Sequence, residues 1–251
     1  MKGLIIKDLF CLRKQLRLFT FTVIGTFTLA IMFILSYNFG NIGTAFAQMQ
    51  TEGEIGSADA LGMVRLAMLL LLFIPMAFTG NVTDLFLDDW NASFAKLASA
   101  FPVSLKKRVA ARYISGLGFT LTGFVLSLIL TVILSCLTEV IALKEYVTYL
   151  FGFAGILMIY LSLVIALEYL LGAQRSGVIT ILPFVGIVAG LLIPNYKAIR
   201  EALTTETGLS LSAVTDAIQA GSYPVFGIAV GMLLISYGFS VFVAGRKGGI
   251  A

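Results

Sequence analysis

Glu168 is the clearest ionisable side chain inside an apolar run of this sequence, flanked by Val164-Ile165-Ala166-Leu167 and Tyr169-Leu170-Leu171. A charge at the centre of a bilayer costs about 2.5–3.5 kcal/mol on insertion scales. The carboxylate therefore either handles a solute or a proton, or reaches an interface a few residues before Gly172 and pairs with Arg175 or another nearby base. Arg65 stands near the end of a second apolar stretch and can snorkel in the same way. Tyr37 and Asn38, with Thr20, Thr22, Thr26 and Thr28, give a third stretch polar faces. These suit the wall of a pathway, although threonines also bond back to their own helix. With Arg65 and Glu168 they are the residues expected along any pathway.

What is missing narrows the chemistry further. The chain has no histidine, the commonest metal ligand and the usual acid/base at neutral pH. It has no GxxxxGK[ST] loop to cradle nucleotide phosphates, so it cannot hydrolyse ATP alone. No carboxylate pair and no Ser-His arrangement lies within the apolar runs. Cys11 and Cys136 fall before the first run and near the far end of the third, about 30 Å apart across a bilayer. That separation forbids a disulfide, and neither thiol has the neighbours of a metal site. The expectation is a chain without catalytic residues, metal or cofactor of its own.

The elements that must position these groups are membrane helices. The chain has 251 residues, 59% of them hydrophobic and 12% charged, too apolar for a solvated surface around a soluble core. A spanning helix needs about 20 mostly apolar residues. Stretches of that kind fall at 18–38, 63–83, 114–138, 149–171, 177–195 and 223–244. They predict an all-α integral membrane protein with six transmembrane helices in a single domain, 1–251. The first stretch is long enough to span and lacks a small-residue cleavage site, so it reads as a retained helix.

Charge sets the orientation. Most of the 17 basic residues fall in the N-terminal segment, the loop after the second span, the fourth-to-fifth connection at Arg175 and the tail, all on one side of six spans. Basic flanks are retained in the cytoplasm, so both termini are expected there, in a multi-pass protein of the cell membrane. The net charge of +4 is then a topology signal beside spans, with no stripe fit for nucleic acid.

Three connecting segments carry further pattern. Residues 1–17 place Ile5, Leu9, Leu12 and Leu16 on one helical stripe with Lys7, Arg13, Lys14 and Arg17 opposite. That is either an interfacial elbow helix or a plain basic flank. The loop 84–112 opens on Asp84, Asp88 and Asp89, suited to a helix start, and then spaces Trp90, Phe94, Leu97 and Phe101 along one apolar, aromatic face until Pro102. Such a face needs cover from the lipid interface or from another protein. The loop 195–222 carries Leu211, Val214 and Ile218, which fit a short helix as well as an ordinary connection.

In order and placement these residues resemble the type-2 ABC exporter permeases, in particular the small six-span subunits of phenol-soluble-modulin peptide exporters. The marks are Lys7-Asp8-Leu9 near the N-terminus, Asp88-Asp89-Trp90 and Phe101-Pro102-Val103-Ser104 in the first cytoplasmic loop, Val109 and Arg112-Tyr113 at re-entry, and Gly172 with Arg175 in the second cytoplasmic loop. The resemblance implies an elbow helix that includes Lys7, Asp8 and Arg13. It also implies a coupling helix docked into a separate ABC ATPase subunit through Asp88, Asp89, Trp90, Phe94, Leu97 and Phe101, aided by Gly172 and Arg175. ATP and Mg would be bound by that partner. Two permease copies, as homodimer or heterodimer, would enclose a path for amphipathic or antimicrobial-type peptides, with lipids or drugs as other cargo. Two other classes stay open: a stand-alone secondary transporter or channel, and a non-transport membrane protein that confers peptide immunity.

Overall fold

The computed structural model describes residues 2–11, 13–51, 57–78, 103–138, 142–192 and 211–246. Eight α-helices run through them: α1 Lys2–Cys11, α2 Arg13–Phe39, α3 Asn41–Thr51, α4 Ser57–Phe78, α5 Leu105–Leu137, α6 Leu143–Leu171, α7 Ser176–Leu192 and α8 Leu211–Arg246. A 3-10 turn, Ala173–Arg175, joins α6 to α7. Among the described residues, four segments are long and apolar enough to cross a membrane: Leu16–Phe39, Leu105–Leu137, Leu143–Leu171 and Gln219–Arg246. Gly62–Ala77 and Ser176–Gly190 are shorter apolar helices. Backbone polarity explains why helix, with no strand, is the regular structure of the described residues. Hydrocarbon cannot satisfy a free N–H or C=O, and a helix satisfies them all internally.

Several helices run past the apolar stretches that predict them. Residues 105–112, read as the end of a loop, already belong to α5. Ser104, in extended backbone at φ −60° and ψ 146°, starts that helix, and its carbonyl accepts the amides of Lys107 and Arg108 at 3.0 and 3.2 Å. Lysine and arginine are good helix formers, so the basic cluster extends the rod instead of ending it. At the other extreme, α8 begins at Leu211, and the Leu211/Val214/Ile218 stretch is its first part. α8 contains Pro224, which leaves one backbone carbonyl without its helical donor.

α6 is the hub, touching α4, α5, α7 and α8, with α8 lying along it. Helices in lipid gain no hydrophobic drive toward one another, so close backbone approach and hydrogen bonds hold them. Gly152 and Gly155 supply the approach. A Cβ on Gly155 would meet the Phe226 backbone at 2.9 Å, and one on Gly152 would meet Ser222 Oγ at 2.5 Å. Gly186 and Gly190 face open space. One apolar core, around Met68, Leu72, Leu130, Leu134 and Leu150, fills the region between α2, α4, α5 and α6. A second, around Val109, Leu161, Ile165 and Val243, fills the end where α5 begins and α8 finishes.

Candidate functional site

Beside that second core lies a cluster of buried charge built from three helices. Asp8 on α1 is 2% exposed. Arg112 on α5 donates from Nη1 to Asp8 Oδ1 at 2.8 Å, and Ser115, one turn further along the same face, donates from Oγ to Asp8 Oδ2 at 3.0 Å. Lys7 Nζ lies 3.1 Å from the same carboxylate. Glu168 on α6 is 3% exposed, and neither of its carboxylate oxygens has a hydrogen-bond partner among the described residues. Arg112 is the charged group that acts on it electrostatically. Two carboxylates from different helices thus share one guanidinium.

Polar contacts continue from this cluster to α8. The Tyr113 hydroxyl meets Ser236 Oγ and, at 2.9 Å, Ser240 Oγ, while Ser236 donates to the Ser162 carbonyl on α6. Ser236 and Ser240 are one turn apart, so a single tyrosine on α5 spans both. Just past Glu168, α6 ends at Gly172, whose φ of 82° favours glycine. The Gly172 amide donates to the Glu168 carbonyl at 2.9 Å, and the Arg175 amide donates to the Gly172 carbonyl at 3.2 Å. Arg175 itself is exposed.

The residues expected along a pathway do not converge. Glu168 sits at the Asp8 end, whereas Tyr37, Asn38 and Arg65 sit at the opposite end of the bundle. There Asn38 Nδ2 donates to the Leu137 carbonyl at 3.1 Å, Arg65 Nη1 lies 3.8 Å from Glu145 Oε2, and the Tyr146 hydroxyl donates to the Arg65 carbonyl at 3.3 Å. Tyr37 is half-buried. Thr20, Thr22, Thr26 and Thr28 each donate to the carbonyl four residues back, so their hydroxyls serve their own helix.

Asp88, Asp89, Trp90, Phe94, Leu97 and Phe101 lie outside the described residues. Arg13 opens α2, with its side chain outside the described set. The Asp8–Arg112 pair was missed by sequence reasoning, although each residue stood out singly. A signal existed: Asp8 is the first acidic residue of the chain and has none after it until Glu52, amid a run of bases. An isolated carboxylate in such surroundings has a partner to find.

The cluster joins α1 to α5 through Asp8 and Arg112 and sets Glu168 of α6 under the same positive charge. Among the described residues no group of three His, Cys, Asp or Glu side chains could hold a metal ion. A family model described as ABC-2 family transporter protein matches residues 60–244, which include Arg112, Glu168 and Ser236 but not Asp8. No curated protein and no solved structure matches the chain.

Proposed function

This chain belongs to the ABC-2 transporter family, and on that premise we propose that it is the permease subunit of an ATP-driven exporter that moves amphipathic or antimicrobial-type peptides. A separate ABC ATPase supplies the energy and binds the ATP and Mg. The observation that carries this reading is the family match over residues 60–244 in a chain without a phosphate-binding loop. A permease lacking that loop must borrow its motor, and the motor needs a handle.

The handle is the 84–112 segment. Its Trp90, Phe94, Leu97 and Phe101 spacing leaves an aromatic face for the ATPase to cover. That segment runs straight into α5, whose 33 residues extend about 50 Å. Since the hydrocarbon core is only about 30 Å thick, a rod of this length carries movement at its start through the whole bilayer. The proposal includes six spans, with α4 and α7 as the second and fifth, and an α1 elbow at the interface. Both termini are cytoplasmic, which the clustering of bases at Lys2, Lys7, Arg13, Lys14, Arg17 and Lys106-Lys107-Arg108 supports. Two permeases, identical or related, enclose the path in the cell membrane. Peptide cargo rests on the marks shared with peptide exporters.

The test is mild detergent extraction followed by reconstitution. We expect an ATPase carrying a phosphate loop to copurify with the chain, and labelled amphipathic peptide to move in vesicles only with ATP. Peptide movement by the purified chain alone, without nucleotide, would place it instead among secondary transporters or channels.

A further inference from the structure

We propose that Arg112 is a positioning residue that changes carboxylate partner during transport, held by Asp8 in the state described here and by Glu168 in a second state. The inference deepens the permease reading and rests on it for its place in a transport cycle, while the exchange itself is a property of this chain.

Three observations carry it. First, Glu168 is buried at 3% exposure with both oxygens lacking a hydrogen-bond partner among the described residues. A buried carboxylate left in that condition is destabilising, and such exceptions call for an explanation. Second, the opposite charge acting on it is Arg112, whose Nη1 is engaged by Asp8 at 2.8 Å. Third, the two carboxylates are unequally furnished. If Arg112 left, Asp8 would keep Ser115 Oγ at 3.0 Å and Lys7 Nζ at 3.1 Å, whereas Glu168 has no such substitute among the described residues. Exchanging one charge-assisted bond for another leaves their number unchanged, so a partner's binding can shift the population between the two arrangements.

Placement makes the exchange useful. Arg112 sits two turns into α5, Asp8 ties down α1, and Glu168 lies one turn before the Gly172 terminus of α6. A pull on the segment that rotates or slides the start of α5 trades the α1 contact for an α6 contact. Arg108, one turn earlier on α5, also has a buried Nε without a hydrogen-bond partner among the described residues, so it is the control position.

The test uses the full chain in lipid nanodiscs, with Cys11 and Cys136 replaced by serine and spin labels at positions 6 and 106, both exposed and carried by α1 and α5. The unmodified cluster should give two distances. Asp8→Asn should leave the longer one, Glu168→Gln the shorter one, and Arg108→Gln should retain both. A single distribution common to the wild type, Asp8→Asn and Glu168→Gln overturns the proposal, as does loss of the exchange in Arg108→Gln alone. A second readout excludes a purely structural role. Glu168→Gln should raise the melting temperature, because a buried carboxyl without a hydrogen-bond partner among the described residues is gone, yet lower ATP-coupled flux of a labelled amphipathic peptide about tenfold or more. Unchanged flux in that variant also overturns it. If the wild-type chain moves no peptide with any ATPase, the permease reading fails, and the distance measurement still decides the exchange.

Discussion

Arg112 is the residue on which the most local structure depends, since two buried carboxylates look to it for charge. Removing Arg112 takes from Glu168 the opposite charge that acts on it, while Asp8 keeps Lys7 and Ser115, so the loss stays below the value of about 3–5 kcal/mol for a buried pair left wholly uncompensated. Arg112→Ala should therefore lower stability by about 2 kcal/mol, read as loss of the folded monodisperse fraction on heating in detergent. The Arg65–Glu145 pair offers a contrast. Its side chains are 33% and 34% exposed at 3.8 Å, and pairs of that kind contribute about 1 kcal/mol or less. Arg65→Ala should barely move the same melting curve, and equal effects of the two substitutions would contradict the ranking. Little of this was legible in the sequence. Asp8 and Arg112 are 104 residues apart, and neither lies in a spacing that periodicity can detect. Only the solitary acid among bases pointed toward a partner.

Helices were far more legible, because the requirement that produces them is local: about 20 apolar residues and no free backbone donors. Their ends were not. α5 and α8 both run into polar sequence, at Lys106-Lys107-Arg108 and at Ser212–Gly221, where composition shows no apolar run but helical hydrogen bonding continues. The tight approach of α6 to α8 is one that only the structure reveals, since Gly152 and Gly155 look like Gly186 and Gly190 in the sequence and differ in what a Cβ would meet. Gly155→Ala should push α8 away from α6, as its Cβ would meet the Phe226 backbone, with a loss of about 1–3 kcal/mol. Gly186→Ala, in open space, should change stability by less than about 0.5 kcal/mol. Thermal melts of the two variants side by side check this, and the same loss in both would contradict the packing. The Trp90 segment makes its own prediction. Trp90→Ala or Phe94→Ala should leave insertion intact while abolishing the ATPase stimulation that accompanies transport in reconstituted vesicles.

At the scale of the whole molecule, charge and length complement each other. Basic residues gather at the end of the bundle where α1 lies, where α5 begins and where α8 finishes at Arg246. The apolar surfaces of α2, α7 and α8 stay open, with Phe21 72%, Phe184 62% and Ile235 75% exposed. Lipid covers faces of this kind, and the proposed second permease would share them. A motor on the basic side would meet α1, the start of α5 and the Gly172–Arg175 turn together. The most direct measurement is photo-crosslinking from position 90 in native membranes, paired with an impermeant reagent applied from outside. The expected result is a covalent adduct with an ATPase bearing a phosphate-binding loop and no labelling of position 90 from the exterior. Labelling of that position from the exterior, with no ATPase captured, would contradict the permease reading at its root.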